Sequence, residues 1–260
     1  GRSALDYLIK VKGYSFLEAV ETIIGHTAIQ APVYEKPQSK EENKPLLLPE
    51  KCASNRVITE YLFGRGIDFE IINYCISNDL IFESLPYHNV VFVGYDEKKE
   101  PKYAAYRSTN KRRIMGDCSG SKKDYSFRLG KENLEEVHLF ECAIDLLSYA
   151  TLAKLNGQDW KEMSFVSLSG VYSPAKKIED SKVPIALEKY LGSNPSVRKI
   201  RIHFDNDIAG RKAAQTLKTI LPDKYEIVDE PPKAGKDFND FLCMRMGIYN
   251  KKTHERNEER

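Results

Sequence analysis

The chain has 260 residues, enough for one large or two modest domains with a hydrophobic core. Its formal net charge is only +2, which excludes a uniformly basic nucleic-acid-binding chain and leaves only a local basic patch. No apolar run reaches membrane-spanning length and no signal peptide opens the sequence, so we expect a cytoplasmic protein with no membrane partner. The cysteines form no Cys-x-x-Cys pair, and we interpret them as free thiols of a reducing compartment, not as a disulfide framework or a zinc site. They are Cys52, Cys75, Cys118, Cys142 and Cys243.

Residues 1–29 have the pattern of a helical hairpin. Apolar residues recur at helical spacing, and Gly13 and Gly25 are suitable terminators of the two helices. Residues 30–50 contain four prolines among Lys, Glu, Gln and Asn, a composition that predicts a flexible linker. Residues 249–260 are equally polar, and we expect a frayed tail there.

Residues 51–134 form a second predicted unit, a small α+β subdomain. Helical periodicity comes first and strand-like alternation follows it. The predicted elements are two helices, 55–63 and 68–76, and two strands, 89–95 and 101–108, with the polar hairpin loop 96–100 between the strands.

A basic stretch, residues 107–128, lies within this subdomain. Its seven Lys and Arg residues outweigh Asp117 and Asp124, which gives a local charge of +5. Its glycines and serines indicate a loop, and its charge and flanking aromatic residues suit phosphate contacts and base stacking, with a solvated charged loop as the alternative. The aromatic residues are Tyr103, Tyr106, Tyr125 and Phe127. The residues that we assign to nucleic-acid or nucleotide binding are Arg107, Arg112, Arg113, Lys122, Lys123 and Arg128, with Lys236 further along the chain.

Residues 135–248 alternate strands and helices, which predicts a parallel sheet flanked by helices and an α/β fold class. The predicted strands are 137–140, 164–168, 200–204 and 225–228, and the predicted helices are 143–155, 183–191, 211–221 and 241–246. Because the carboxyl ends of parallel strands share one edge of the sheet, four connections deliver residues to one rim. These residues are Glu141, Gly170, Asp205, Asp207 and Asp237.

Asp205 and Asp207 stand directly after a predicted strand, and Gly210 is expected to ease the turn into the next helix. Two carboxylates held this close repel each other and invite a hard cation such as Mg²⁺. An isolated Asp-x-Asp is more often a solvated turn. The other acids that converge on the same rim favour the metal site.

Three motifs in this order resemble those of the Toprim domain, the metal-binding module of bacterial primases, topoisomerases and some nucleases. They are Phe-Glu-Cys-Ala-Ile-Asp at Glu141, Phe-Asp-Asn-Asp-Ile-Ala-Gly at Asp205 and Lys-Asp-Phe-Asn-Asp at Asp237. Residues 55–130 are similar to the amino-terminal half of the DnaG-type primase core, and closer still to primase-like proteins of plasmids and integrative elements. Residues 1–25 resemble the helical tail of the zinc ribbon that precedes that core, without its Cys and His ligands.

The resemblance implies roles for individual residues. Glu141 matches a metal ligand or general acid/base, Asp205 and Asp207 match the paired metal-binding aspartates, and Asp237 matches a further acidic ligand. Primases commonly carry a second Asp where this chain has Asn239, with Asp240 beside it as a substitute. The residues that we expect to support the site without binding metal directly are Asp145, Gly170 and Asp240. We expect His203, which alternates with the apolar face of its strand, to pack or to face solvent.

The implied activity is metal-dependent nucleotidyl transfer by a primase-type enzyme. Mg²⁺ or Mn²⁺ would be the cofactor, with no zinc, and single-stranded DNA template and NTPs would be the partners, with a replicative helicase as a further candidate. A Toprim nuclease and a non-catalytic DNA-binding replication module are the alternatives. A topoisomerase is disfavoured, because its catalytic tyrosine sits in a further large domain for which the chain has no room.

Overall fold

The computed structural model describes residues 4–14, 19, 22–23, 44–170, 172, 174–175 and 177–248. The chain divides into two compact units, Gly1–Asn43 and Lys44–Arg260. Within the described ranges, every helix is too short or too polar to cross a membrane.

The first unit contains the helix α1, Ala4–Lys10. The helix is followed by a turn in which Tyr14 N donates to the Leu8 carbonyl at 3.1 Å, and Gly13 has a positive φ of 72°. This is the left-handed conformation in which glycine commonly ends a helix, as the sequence predicts. The prediction of a second helix falls largely outside the described residues, and those for the linker up to residue 43 and for the tail do so entirely.

The second unit begins with two helices and a four-stranded antiparallel sheet, which we call the basic subdomain. Asp68 caps the second of these helices, where its side chain accepts from Glu70 N at 2.8 Å. The predicted hairpin loop at 96–100 is confirmed, and the Asp96 carboxylate closes it by accepting from Lys98 N and Glu100 N. The elements are α2 Arg56–Phe63, α3 Phe69–Ser77, β1 Ile81–Glu83, β2 Val90–Tyr95, β3 Pro101–Arg107 and β4 Met115–Asp117, with strand order β1-β2-β3-β4.

Residues 44–50, the last part of the predicted linker, contact this sheet. Leu47 N donates to the Ser119 carbonyl at 2.9 Å, and the Glu50 carbonyl accepts from Leu85 N at 2.8 Å. These seven residues are therefore held on the sheet by main-chain hydrogen bonds, although they form neither helix nor strand.

The carboxyl-terminal part is a five-stranded sheet with helices on both faces, so the predicted α/β class is confirmed. Strands β6 to β9 run parallel, whereas β5 pairs antiparallel with β7 at one edge, in the order β5-β7-β6-β8-β9. The strands are β5 Arg128–Gly130, β6 Glu136–Phe140, β7 Ser164–Ser167, β8 Lys199–Ile202 and β9 Glu226–Asp229. The helices are α4 Ala143–Leu155, α5 Ile185–Ser193, α6 Ile208–Ile220 and α7 Phe238–Arg245.

Two details of the prediction around β8 are wrong. The strand β8 ends at Ile202, two residues earlier than expected, and α6 begins at Ile208, three residues earlier than expected. Asp207 is the reason for the early start, because its side chain accepts from Gly210 N and caps the helix. Gly210 therefore lies in the first turn of α6 and not in the turn that precedes it.

One hydrophobic core runs from the basic subdomain into the large sheet. It joins Ile58 and Leu62 of α2 to Phe140 of β6 and Leu147 of α4, all of them fully buried. A second core fills the opposite face of the sheet, under α5 and α6. Because the first core is shared, the basic subdomain is fixed against the sheet.

Candidate active site

Glu141 and Asp205 meet at the carboxyl ends of two adjacent parallel strands, β6 and β8. Asp205 N donates to Glu141 Oε1 at 3.2 Å. A Cβ atom at Gly210 would lie 2.9 Å from that same Oε1 and 2.3 Å from the Asp205 carbonyl oxygen. Glycine at this helical position therefore permits the carboxylate and the strand end to approach each other.

The two carboxylate oxygens of Asp207 have different partners. One carboxylate oxygen caps α6, and this hydrogen bond from Gly210 N is the main cause of a lowered pKa for Asp207. The other oxygen, Oδ2, lies 3.3 Å from the ammonium of Lys236. Asp207 is thus held ionised at the rim by a helix terminus and by a cation.

Lys236 is the residue that joins the two aspartates. Its Nζ atom lies 3.2 Å from Asp205 Oδ2 and 3.3 Å from Asp207 Oδ2, so one positive charge bridges both carboxylates. Partial burial alone would lower the pKa of Lys236, but the two carboxylates outweigh it and raise that pKa. The lysine that the sequence assigned to nucleotide binding therefore lies among the acids.

The rim is electronegative despite this lysine. Burial, followed by the charge of Asp205, raises the pKa of Glu141 to about 7. Burial also raises the pKa of Asp205, against the opposing effect of Lys236. A carboxyl group with a pKa near neutrality stands ready to release a proton and to accept a cation in its place.

A second acidic pair lies behind the first. Asp145 in α4 is buried, where it accepts from Cys142 Sγ at 2.9 Å and from Asn239 N at 3.1 Å. Burial, and then the charge of Asp237, raise its pKa to about 7. Asp237 itself caps α7 by accepting from Asp240 N at 2.7 Å, and Asp240 in turn accepts from Lys236 N at 3.3 Å.

The donor set at the rim fits a hard divalent cation. Glu141, Asp205 and Asp207 offer only carboxylate oxygens, and Lys236 already occupies the position of a cation between two of them. The carboxylate oxygens of these three acids do not all lie within 4.8 Å of one another. Among the described residues, one group of three potential metal ligands reaches that spacing, and it lies elsewhere in the chain. Glu141, Asp205 and Asp207 are the residues that would hold such a cation, in the place now taken by the Lys236 ammonium.

Two family models match the chain. Residues 60–133 match a family described as a protein of unknown function, DUF3991, and residues 138–242 match the Toprim-like family. This chain contains a Toprim-like domain. The resemblance indicated by the motifs at Glu141, Asp205 and Asp237 is confirmed.

The chain is also similar to solved primase structures, each with a TM-score below 0.5. The primase fragment of the bacteriophage T7 primase-helicase is 20% identical, with a TM-score of 0.47 and coverage of 72% of this chain and 68% of that chain. The E. coli primase catalytic core is 12% identical, with a TM-score of 0.47 and coverage of 78% and 72%. The zinc-binding and RNA polymerase domains of the Aquifex aeolicus primase are 15% identical, with a TM-score of 0.44 and coverage of 95% and 68%. No curated protein sequence matches the chain.

Asn239 connects the Toprim-like domain to the basic subdomain. Its Oδ1 atom accepts from Arg65 Nη1 at 2.7 Å, and its Nδ2 atom donates to the Arg65 carbonyl and to Ser148 Oγ, each at 3.0 Å. The carbonyl oxygen and both amide hydrogens of this buried side chain are thus engaged. Arg65 was not among the site residues predicted from the sequence.

The carboxyl-terminal part of the basic stretch lies beside the rim. Lys123 Nζ is 3.1 Å from Asp117 Oδ2 and 3.4 Å from the Ser169 carbonyl. The next residue, Gly170, donates its N–H to the Glu141 carbonyl at 2.9 Å. Gly170 therefore supports the strand end that carries Glu141, and a lysine of the basic stretch stands close by.

The basic stretch differs from the predicted loop in structure. It contains β4, a short 3-10 helix at Lys123–Tyr125 and the start of β5. Tyr103 and Phe127 are buried, so neither ring can stack on a base, and this part of the stacking prediction is wrong. The short β5, with its Arg and Gly, showed no alternation that would have identified it as a strand.

The assigned basic side chains are not equally accessible. Arg112 and Arg113 are exposed on the turn between β3 and β4. Arg107 Nε instead donates to Tyr61 Oη at 3.1 Å. Arg128 lies over the Tyr190 ring at 5.1 Å and donates to the Asp124 carbonyl, so internal contacts engage it.

Proposed function

We propose that this chain is a metal-dependent nucleotidyltransferase of the primase type, which makes short RNA primers on single-stranded DNA in the replication of a mobile element. One arrangement carries this proposal: Glu141 accepts a hydrogen bond from Asp205 N, and the ammonium of Lys236 bridges the carboxylates of Asp205 and Asp207. The adjacent basic stretch supports it, since a template-directed transfer needs phosphate contacts beside the acids.

Glu141, Asp205 and Asp207 would hold Mg²⁺ or Mn²⁺, with Asp237 as a further acidic group. When bound, the metal supplies neutralisation of the triphosphate charge and polarisation of the reacting phosphoryl oxygen. Glu141 would serve either as a metal ligand or as the general base that accepts the proton of the attacking 3′-hydroxyl, because the pKa of about 7 belongs to the metal-free carboxyl group. Lys236, once released from the aspartates, is placed to bind a phosphate oxygen of the incoming nucleotide.

The exposed Arg112 and Arg113 would contact the template backbone, together with Lys122 and Lys123. Such contacts are nonspecific and typically support about micromolar or weaker binding at physiological salt. The template and NTPs are therefore the proposed partners, with a replicative helicase as a further one.

A labelled single-stranded oligonucleotide, incubated with the protein, Mg²⁺ and NTPs, tests the proposal. We expect short RNA products, and we expect Asp205→Asn to reduce their rate by about 100-fold or more, as removal of a preorganised charge does in other enzymes. Asp223→Asn is the matched control, because Asp223 is an exposed acid on the loop before β9, and it should leave the rate unchanged. Cleavage of the oligonucleotide would identify a nuclease instead, and binding without either reaction would identify a non-catalytic module.

A further inference from the structure

Cys52, Glu83 and His88 form a cluster in the basic subdomain, away from the acidic rim. Cys52 precedes α2, Glu83 ends β1 and His88 lies in the turn before β2. One sulfur, one carboxylate oxygen and one ring nitrogen of this trio all lie within 4.8 Å of one another.

The main chain holds the three residues together. Residues 51 and 84 form an isolated antiparallel bridge, and Cys52 N donates to the Glu83 carbonyl at 2.8 Å. His88 N donates to the Ser84 carbonyl at 2.8 Å, and His88 itself has a positive φ of 52°. A non-glycine residue is uncommon in this conformation, and here it turns the imidazole back towards Glu83.

Glu83 is the buried centre of the cluster, with 2% of its surface exposed. Its Oε2 atom accepts from Val57 N at 2.9 Å and Ile58 N at 3.3 Å, at the start of α2. Its Oε1 atom lies 2.6 Å from His88 Nδ1. The helix terminus therefore fixes the carboxylate so that its second oxygen faces the imidazole and the thiol.

We propose that Cys52, Glu83 and His88 bind a zinc ion. A thiolate, an imidazole and a carboxylate are the three ligand types that Zn²⁺ takes in proteins, at about 2.0–2.3 Å each. Mg²⁺, which prefers six oxygen ligands, is a poor match for this set. The thiolate and the carboxylate together balance the two positive charges of the ion, and zinc would take the place of the hydrogen bond between Glu83 and His88.

The fourth position of the tetrahedron would face solvent. The His88 side chain is 46% exposed, which gives the ion a route of entry and leaves room for a water ligand. Bound zinc would link Cys52, which precedes α2, to Glu83 in the edge strand β1. The site would form whether or not the acidic rim catalyses primer synthesis, since the two share no residue.

Cobalt(II) is the probe for this site, because its tetrahedral thiolate complexes absorb in the near-ultraviolet and the visible. After removal of metals with a chelator, we expect one Co²⁺ per chain to give a thiolate charge-transfer band, which Zn²⁺ abolishes by displacement. Cys52→Ser should remove the band, and His88→Gln should weaken Co²⁺ binding by about tenfold or more. Cys118→Ser, which alters a half-buried cysteine of the same subdomain, should leave the charge-transfer band and the Co²⁺ affinity unchanged.

The rim offers a competing thiol, Cys142, which a second set of variants distinguishes. Cys142→Ser and Asp205→Asn should both retain the Co²⁺ band if the site is at Cys52. A band that survives Cys52→Ser, or that disappears in Cys142→Ser, would overturn the assignment, as would its absence from the unaltered protein.

Zinc protection of the thiol provides a readout that needs no variant. Iodoacetamide should alkylate Cys52 in the metal-free protein, and stoichiometric Zn²⁺ should slow that alkylation by about tenfold or more while Cys118 reacts at the same rate. Equal alkylation of Cys52 with and without Zn²⁺ would contradict the proposed site.

Discussion

Arg65 and Asn239 hydrogen-bond to each other twice, although 174 positions separate them in the chain. The guanidinium of Arg65 donates to Asn239 Oδ1, and Asn239 Nδ2 donates back to the Arg65 carbonyl. These two hydrogen bonds link the loop after α2 to the first turn of α7, which directly follows the Asp237 cap. Asn239 thus links the two subdomains through its side chain.

We expect Asn239→Ala to lower the free energy of unfolding by about 1–3 kcal/mol. The substitution leaves the Ser148 hydroxyl without the amide donor and the Arg65 carbonyl with only the weak thiol donor Cys243 Sγ at 3.3 Å, which carries a desolvation penalty in a buried site. Urea denaturation, monitored by circular dichroism, measures this change in the free energy of unfolding. Asn78→Ala is the control, since Asn78 also donates to a carbonyl but at the exposed end of α3, and it should cost only a few tenths of a kcal/mol. Equal effects of the two substitutions would contradict this link.

Gly210→Ala should destabilise the protein and weaken metal binding. An alanine at an ordinary helical position is favoured over glycine by about 1 kcal/mol, but this Cβ would lie 2.3 Å from the Asp205 carbonyl oxygen. The main chain at Asp205 and the Glu141 carboxylate must move away from each other to accommodate the new Cβ atom. Thermal unfolding and Mn²⁺ titration are the measurements.

Gly192→Ala is the matched control for that substitution. Gly192 lies in α5, where a Cβ would meet nothing within 4 Å. We expect the free energy of unfolding of this variant to rise by up to about 1 kcal/mol, and its Mn²⁺ affinity to equal that of the unaltered protein. A stabilised Gly210→Ala variant with normal Mn²⁺ affinity would show that the rim tolerates a wider separation.

Lys236→Gln should strengthen Mn²⁺ binding and weaken NTP binding. The ammonium of Lys236 competes with a metal for Asp205 and Asp207, and its removal leaves their charge uncompensated. Because the lysine side chain is more than half exposed, the gain is limited to about 1 kcal/mol, or roughly fivefold in affinity. Calorimetric titration of Mn²⁺ and of a nucleoside triphosphate measures the two effects. Lys233→Gln, on the same loop and exposed, should change neither affinity.

Local pattern predicted the four parallel strands and their rim, because these strands are short, largely apolar runs and the acids lie in the connections that follow them. The early start of α6 was missed, since Asp207 serves both as a rim acid and as the helix cap. The Arg65–Asn239 link and the Cys52, Glu83 and His88 cluster could not be predicted in the same way. Their members lie far apart in the chain or in irregular turns, and no periodic pattern links residues that only the folded chain brings together.

Acid should destabilise the protein partly through Glu136. His138 first, and then Arg201, lower the pKa of the Glu136 carboxyl to about 2. A group whose pKa is lower in the folded than in the unfolded protein stabilises the fold above the unfolded-state pKa of about 4.3, and this contribution is lost as the pH falls towards 2.

The neighbouring histidines explain the contact with Glu136. His203 Nδ1 faces the Glu230 carbonyl at 3.1 Å and so carries the hydrogen, which leaves its Nε2 to accept from His138 Nδ1 at 2.9 Å. His138 Nε2 then lies 3.2 Å from Glu136 Oε1. Because Glu136 is about one-third exposed, we expect its contribution to be about 1 kcal/mol.

Urea denaturation at pH 5 and at pH 2.5 measures this effect. Glu136→Gln should be less stable than the unaltered protein at pH 5, and the difference should shrink at pH 2.5. Glu226→Gln is the control, because Glu226 pairs with Lys199 at an exposed position, and its effect at both pH values should be small. A Glu136→Gln penalty that does not depend on pH would show that Glu136 acts through packing and not through its charge.

The exposed arginines of the basic stretch should govern the salt dependence of single-stranded DNA binding. Arg112 and Arg113 lie on the turn between β3 and β4, so their substitution by Gln should leave the fold intact. Removing one phosphate contact lowers the slope of log affinity against log salt by about 0.7 for a single strand, so Arg112→Gln with Arg113→Gln should reduce it by about 1.4. Lys98→Gln with Lys99→Gln, on the hairpin loop at 96–100, removes the same charge from the opposite end of the sheet and should leave the slope unchanged. Fluorescence anisotropy with a labelled oligonucleotide at several salt concentrations measures both slopes. If the two double variants reduce the slope equally, the protein responds to overall charge alone, and the basic stretch is a solvated turn with no defined template path.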